Sequence, residues 1–162
     1  MPPHGRVRGI DRDLIRGGHY GQRSYDGGDC AYYRPSTDHI QMPSEELVCG
    51  TTTMNRSEGY YATLIHELTH WSGASSRLAR DMGKRFGDDA YAGEELAAET
   101  GSAFLCAELG ITQDVRADHA QCLAQWPKLM KCDSRAIFAA AARASEAASY
   151  LKRFSAREAH AA

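Results

Sequence analysis

The sequence predicts an α+β domain, with a few short strands packed as one layer against three to four helices around a single core. Three observations carry this. Two short runs with strand-like composition flank a turn near residue 36. Two later stretches carry apolar residues at helical spacing, and an Ala-rich stretch of good helix formers comes last. The 162 residues are enough for one core, and 43% hydrophobic with 25% charged residues is ordinary globular composition.

The elements follow in chain order. Residues 1–27 are rich in Gly, Arg and Asp without a period, and read as an arm or a truncated remnant of something longer. The domain proper is expected over 28–154, with a tail at 155–162. Cys30 to Arg34 reads as a strand, Pro35, Ser36, Thr37 and Asp38 as turn chemistry, and His39 to Met42 as a second strand closed by Pro43. Ser44 to Val48 reads as a capped helical turn.

The first strong helix runs from Arg56 or Ser57 to Trp71. Tyr61, Leu64, Ile65 and Leu68 form its apolar face, and Gly73 is its stop. A second helix is expected from Tyr91 to Leu109, with Leu96, Ala103, Phe104 and Ala107 as its apolar face and Gly110 at its end. A third is expected from Gln113 to Met130, interrupted at Pro127. The fourth is the Ala-rich run from Ser134 to Phe154, capped by Asp133.

Formal net charge is −2, so the chain as a whole has no pull toward nucleic acid or an anionic membrane. Its two ends are basic and its middle is acidic. A basic end is more often a solvated face than a nucleic-acid footprint. The five cysteines are odd in number and lack Cys-x-x-Cys spacing, which points to a reducing compartment. The N-terminus lacks the apolar run of a signal peptide, and no stretch is apolar enough to span a bilayer. The expectation is a cytoplasmic protein with no membrane partner.

The central feature is His66-Glu67-Leu68-Thr69-His70 on the first helix. Four residues of helix place both imidazoles on one face, about 6 Å apart along the axis. That spacing suits two ligands of one tetrahedral zinc. Glu67 lies about 100° further round the helix. It flanks the metal and serves as general base toward a metal-activated water. The motif is short, but its stripe borders an apolar face, as a buried site requires.

A catalytic zinc usually takes three protein ligands. Gly73 fits the His-Glu-x-x-His-x-x-Gly-x-x-His pattern, but Ser76 stands where its third His belongs. The third ligand is therefore sought in Glu94-Glu95-Leu96-Ala97-Ala98-Glu99 on the second helix. Glu95 and Glu99 share a face. Glu95 is the preferred ligand, with Glu99 accepting the ring N–H of a ligand His. The reverse assignment is the alternative. Glu94 reads as part of a solvated helix start.

The runs YYRPSTDHIQMP, YYATLIHELTHWSGASSRL and YAGEELAAETGSAFLCAELGI, with the later WPKLMKCDSRAIFAAAARASEAASYL, resemble the C-terminal metallopeptidase domain of ArdC-type antirestriction proteins. These are zincin-like domains carried by plasmids, phages and other mobile elements. The likeness spans roughly Gly28 to Leu151 in several separate blocks. It implies a zincin-like fold and a gluzincin-like site: one zinc per chain on His66 and His70, Glu67 as catalytic acid/base, and a carboxylate from the Glu95–Glu99 helix. In thermolysin-like gluzincins an acidic residue four positions after the ligand Glu supports the site, which Glu95 and Glu99 match.

Two departures stand out. Proteins of this type carry a separate N-terminal domain that binds single-stranded DNA. Only about 28 residues precede the matching region here, so single-stranded DNA is only weakly expected as a partner. The family also commonly shows a Tyr where this chain has Cys122.

The expected reaction is metal-assisted hydrolysis of a peptide bond in a protein or peptide substrate. His119, His39, Tyr60 and Tyr61 are candidates for oxyanion or substrate contacts, although each also reads as structural. The strand at His39 to Met42 is a candidate for pairing with an extended substrate. Trp71 and Trp126 read as core. Tyr32 and Tyr33 beside Arg34 have the composition of a base-stacking surface, but strand aromatics more often pack. Cys106 and Cys122 show no partner base that would make them nucleophiles. The competing reading is a non-enzymatic antirestriction or DNA-protection module with a structural or vestigial metal. A metallohydrolase acting on a non-peptide amide uses the same chemistry. The intact Glu67 favours an enzyme, because a purely structural site has no need of a base.

Overall fold

A computed structural model describes residues 23–44, 46–51, 54–83, 89–111, 131 and 135–159, with side chains described between Gly28 and Arg153. The expected helix over 113–130 with Pro127, and His119, Cys122, Trp126 and Asp133, lie outside the described residues.

Three strands precede three helices: β1 (Arg23–Gly28), β2 (Tyr32–Arg34), β3 (His39–Pro43), α1 (Arg56–Ser72), α2 (Asp89–Leu109) and α3 (Ala136–Ala159). Strands β2 and β3 form the expected antiparallel hairpin, with Tyr33 opposite Ile40. Its turn is completed by Asp38 at φ 49°, a left-handed position that Asp tolerates better than most residues. Ile40 and Met42 alternate inward from β3 and are buried.

Strand β1 was not expected, since residues 23–27 belong to the segment without a period. Its backbone pairs in parallel with β3, Arg23 opposite His39, and the sheet order is β1-β3-β2. Pairing along a backbone ladder needs no side-chain alternation, which is why composition gave no signal of it. The ordered sheet thus begins before Gly28.

Helix α1 starts at a full capping box. The Asn55 side chain accepts from the Glu58 amide, and Glu58 accepts from the Asn55 amide. Every residue from Gly59 to Ser72 is buried. The expected face of Tyr61, Leu64, Ile65 and Leu68 joins Ile40, Met42 and Trp71 in the core. The opposite face is also covered, so the polar stripe of α1 is enclosed.

Helix α2 departs from the expected apolar face. Ala92, Leu96, Ala97, Ala98, Gly101, Ser102, Leu105 and Cys106 are buried, whereas Phe104 is 40% exposed. Small residues govern this packing. Leu96 and Ala97 meet Ala140 of α3, and Ala144, Ala147 and Ala148 continue the buried side of α3. Gly110 at φ 69° ends α2 as expected. Helix α3 continues through Ala159, past the expected end at Phe154. Among the described residues, no helix is long and apolar enough to cross a membrane.

Candidate metal centre

The enclosed polar stripe of α1 faces the first turns of α2 across a cleft of about 870 Å³. His66, Glu67 and His70 line it from α1, and Glu94, Glu95 and Glu99 from α2. His66 Nε2 and His70 Nε2 stand 3.2 Å apart, with their rings nearly perpendicular. The Glu95 carboxylate reaches both, 3.8 Å from His66 Nε2 and 3.6 Å from His70 Nε2. One ligand atom from each of the three residues lies within 4.8 Å of the others.

This donor set fits a divalent cation. Ligands of a tetrahedral ion with bonds of about 2.0–2.1 Å lie roughly 3.3 Å from one another; the two Nε2 atoms match this, and the Glu95 oxygens, a different one toward each ring, stand a few tenths of an ångström further out. Charge points the same way. Four carboxylates face two imidazoles and one guanidinium, that of Arg80, so a bound cation relieves net negative charge.

His70 is oriented from behind. His70 Nδ1 lies 3.2 Å from Glu94 Oε1. A carboxylate only accepts, so Nδ1 donates its proton to Glu94, and Nε2 is the ring nitrogen turned to the cleft. His66 Nδ1 lies 3.5 Å from Glu99 Oε1. Burial pulls the His70 pKa down, but the Glu94 hydrogen bond and the charges of Glu95, Glu67 and Glu94 outweigh it and push it up to about 9. Burial likewise pushes Glu94 up, and there the hydrogen bonds from His70 and Arg80 win, holding it below the usual carboxylate range.

Glu94 differs from its expected place on a solvated helix start. It is 2% exposed. It lies two turns before Gly101, which packs on Thr69 of α1, and a small residue at that spacing is the signal in the sequence that Glu94 points inward. Arg80 was also missed. It sits in the polar connection after α1, where no periodicity marks it.

The structure separates the other candidates from the site. His39 pairs with Thr37 Oγ1 at 2.6 Å and lies edge-on to Tyr32, away from the cleft wall. Tyr60 and Tyr61 are buried in the core, ring to ring. His119 lies outside the described residues. The expectation that β3 pairs with substrate is overturned: β3 is the central strand, with its hydrogen bonds directed to β1 and β2. Among the described residues β1 and β2 are the edge strands, and β2 lines the cleft with Tyr32 and Tyr33. Tyr33 is tied down, its hydroxyl donating to Asp38 and accepting from Arg77. Burial first, and then Asp38, push its pKa up to about 12. Tyr91 of α2 also lines the cleft, at a position that no spacing in the sequence marks.

Comparison with known proteins agrees with this geometry. A family model described as zincin-like metallopeptidase matches residues 18–143. The uncharacterized protein y4eC of Sinorhizobium fredii is 47% identical over 125 residues, which are 77% of this chain and 39% of that protein. The DNA primase TraC of Escherichia coli is 42% identical over 127 residues, 78% of this chain but only 8% of that protein. The chain thus spans well under half the length of these relatives. Among solved structures, the antirestriction protein ArdC of plasmid R388 matches in its metal-free form with a TM-score of 0.72 and 38% identity, over 91% of this chain and 52% of that one. Its Mn(II)-bound form matches with a TM-score of 0.66 and 36% identity, over 89% and 51%. The chain belongs to the zincin-like metallopeptidase family and is a domain of the ArdC type.

Proposed function

We propose that this domain is a zinc-dependent metallopeptidase, carried by a mobile element and linked to antirestriction. One observation carries the reading: the ligand atoms of His66, His70 and Glu95 converge within 4.8 Å beside Glu67 in an open cleft. In this reading these three residues hold one zinc per chain, and Glu99 supports His66 through Nδ1. The zinc supplies Lewis acidity toward a water and the scissile carbonyl. Glu67, adjacent to His66 on α1 and lining the same cleft, takes the proton of the attacking water and returns it to the leaving amine. Tyr91 offers a phenol to the developing oxyanion from the α2 wall. An extended protein or peptide substrate adds to the outer edge of β2.

The acidic lining of the cleft supports a peptide over a nucleic acid as its occupant. Among the described residues that line it, the charged side chains besides the histidines are Asp29, Glu67, Glu94, Glu95 and Glu99, which repel phosphates. A cytoplasmic location suits the free thiols of Cys30 and Cys49 at the exposed rim of the cleft. ArdC is named an antirestriction protein, and that link is carried to this chain as part of the proposal.

The test is metal content of the purified protein beside Glu67→Gln and Glu95→Ala, each assayed for cleavage of casein and a peptide library. The reading expects one zinc per chain, kept in the inactive Glu67→Gln and lost in Glu95→Ala. Zinc bound equally by all three proteins, with cleavage by none, would favour a non-enzymatic antirestriction module.

A further inference from the structure

The connection between α1 and α2 sends one cation into the protein interior. Arg80 has a side chain only 4% exposed, against a Glu94 side chain that is 2% exposed. Its guanidinium makes a fork on that carboxylate, Nε to Oε2 at 3.0 Å and a terminal nitrogen to Oε1 at 2.8 Å. The same terminal nitrogen also donates to the Thr69 carbonyl, and the other donates to Ser72 Oγ at 2.9 Å. Arg80 is therefore fastened to the last turn of α1 and to the first turns of α2 at once. Room for it is made by Gly73, where a Cβ would stand 2.7 Å from the guanidinium.

Glu94 Oε1 is shared. It takes the Arg80 donor on one side and His70 Nδ1, at 3.2 Å, on the other. We infer that Arg80 is a positioning residue for the metal centre, acting through Glu94 to set the His70 ring so that Nε2 faces His66 and Glu95. The inference rests on the metal-centre reading above. A carboxylate held only by an imidazole is free to rotate about its own side chain, and the imidazole turns with it. The fork removes that freedom, because two of the guanidinium donors fix both oxygens while others anchor the fork to α1.

The experiment is zinc affinity, measured by competition with a chromophoric chelator, on wild type, Arg80→Met, Glu94→Ala and the double variant. Folding of each is checked by circular dichroism and thermal melting without metal. Arg80→Met should bind zinc about 10-fold or more weakly, as expected for loss of a group that orients a ligand. The double variant should bind no more weakly than Glu94→Ala alone, because Arg80 acts through Glu94. Wild-type affinity in Arg80→Met, or losses that multiply in the double variant, would overturn the inference while leaving the metal centre standing. Failure of the wild-type protein to bind zinc would overturn the metal-centre reading itself, and this inference with it. Should Arg80→Met not fold, Arg80→Lys keeps the cation and loses the fork. Weakened zinc binding by that variant supports the positioning role, and unchanged binding overturns it.

Discussion

Gly101 of α2 lies directly over Thr69 of α1: a Cβ at Gly101 would stand 2.9 Å from Thr69 Cγ2. Thr69 cannot swing away, because it is fully buried and its hydroxyl donates to the Ile65 carbonyl. The distance between the helix that carries the two histidines and the helix that carries the glutamates is set by this contact. Gly101→Ala should destabilise by about 1–3 kcal/mol, as overpacking does. The gain in helix propensity offsets up to about 1 kcal/mol of that. Denaturant unfolding reads the loss. Adding Thr69→Ser, which keeps the hydroxyl and removes Cγ2, should restore most of it. A variant as stable as wild type would show that the helices separate freely.

Metal binding should tighten with pH. In the metal-free protein the carboxylates push His70 up to about 9, above its ordinary value of 6.5. The stability this raised pKa contributes to the metal-free state is fully present below pH 6.5 and is lost as pH rises through about 9. A metal at Nε2 must displace that proton at neutral pH. Apparent affinity should therefore rise by about one log unit per pH unit across this window, then level off. Titration with a metal at several pH values measures it. A flat profile would mean that His70 is already neutral without metal.

Arg77 joins the hairpin to the end of α1. Its Nε donates to the Trp71 carbonyl at 2.6 Å, its guanidinium lies 3.9 Å over the Trp71 ring, and it donates to Asp38 and to the Tyr33 hydroxyl. Arg77→Ala should cost about 1–3 kcal/mol in stability. Asp38→Asn should cost less, because Asp38 is nearly half exposed and its ion pair is screened. Arg77, opposed by burial and helped by Tyr33, lowers the Asp38 pKa. That contribution is present above the ordinary carboxylate value of about 3.9 and fades as pH falls through the lowered one. Wild type and Asp38→Asn should thus converge in stability in acid, a comparison that unfolding curves at pH 7 and pH 3 provide.

Tyr91→Phe separates binding from chemistry. Removing one oxyanion donor typically lowers kcat about 10²–10³-fold. The proposed role predicts a loss of that order with zinc content and affinity unchanged. If zinc binding falls instead, Tyr91 supports the metal site and the oxyanion donor lies elsewhere.

Several features could be read from the chain alone. The hairpin over 30–43 follows from turn residues between two short runs, and α1 from the spacing of Tyr61, Leu64, Ile65 and Leu68. The pairing of His66 with His70 is a property of one helical turn, and so is the flanking position of Glu67. Local spacing determines these because helix geometry is the same wherever the helix lies. The tertiary structure decided what depends on two elements meeting. It buried Glu94 and brought Arg80 to it from a loop without pattern. It also turned the Ala and Gly stripe of α2 inward in place of Phe104. It made β3 a central strand by adding β1 beside it. Close packing of small residues and the pairing of buried charges leave little periodic trace in a sequence, since their energies arise only where two surfaces touch.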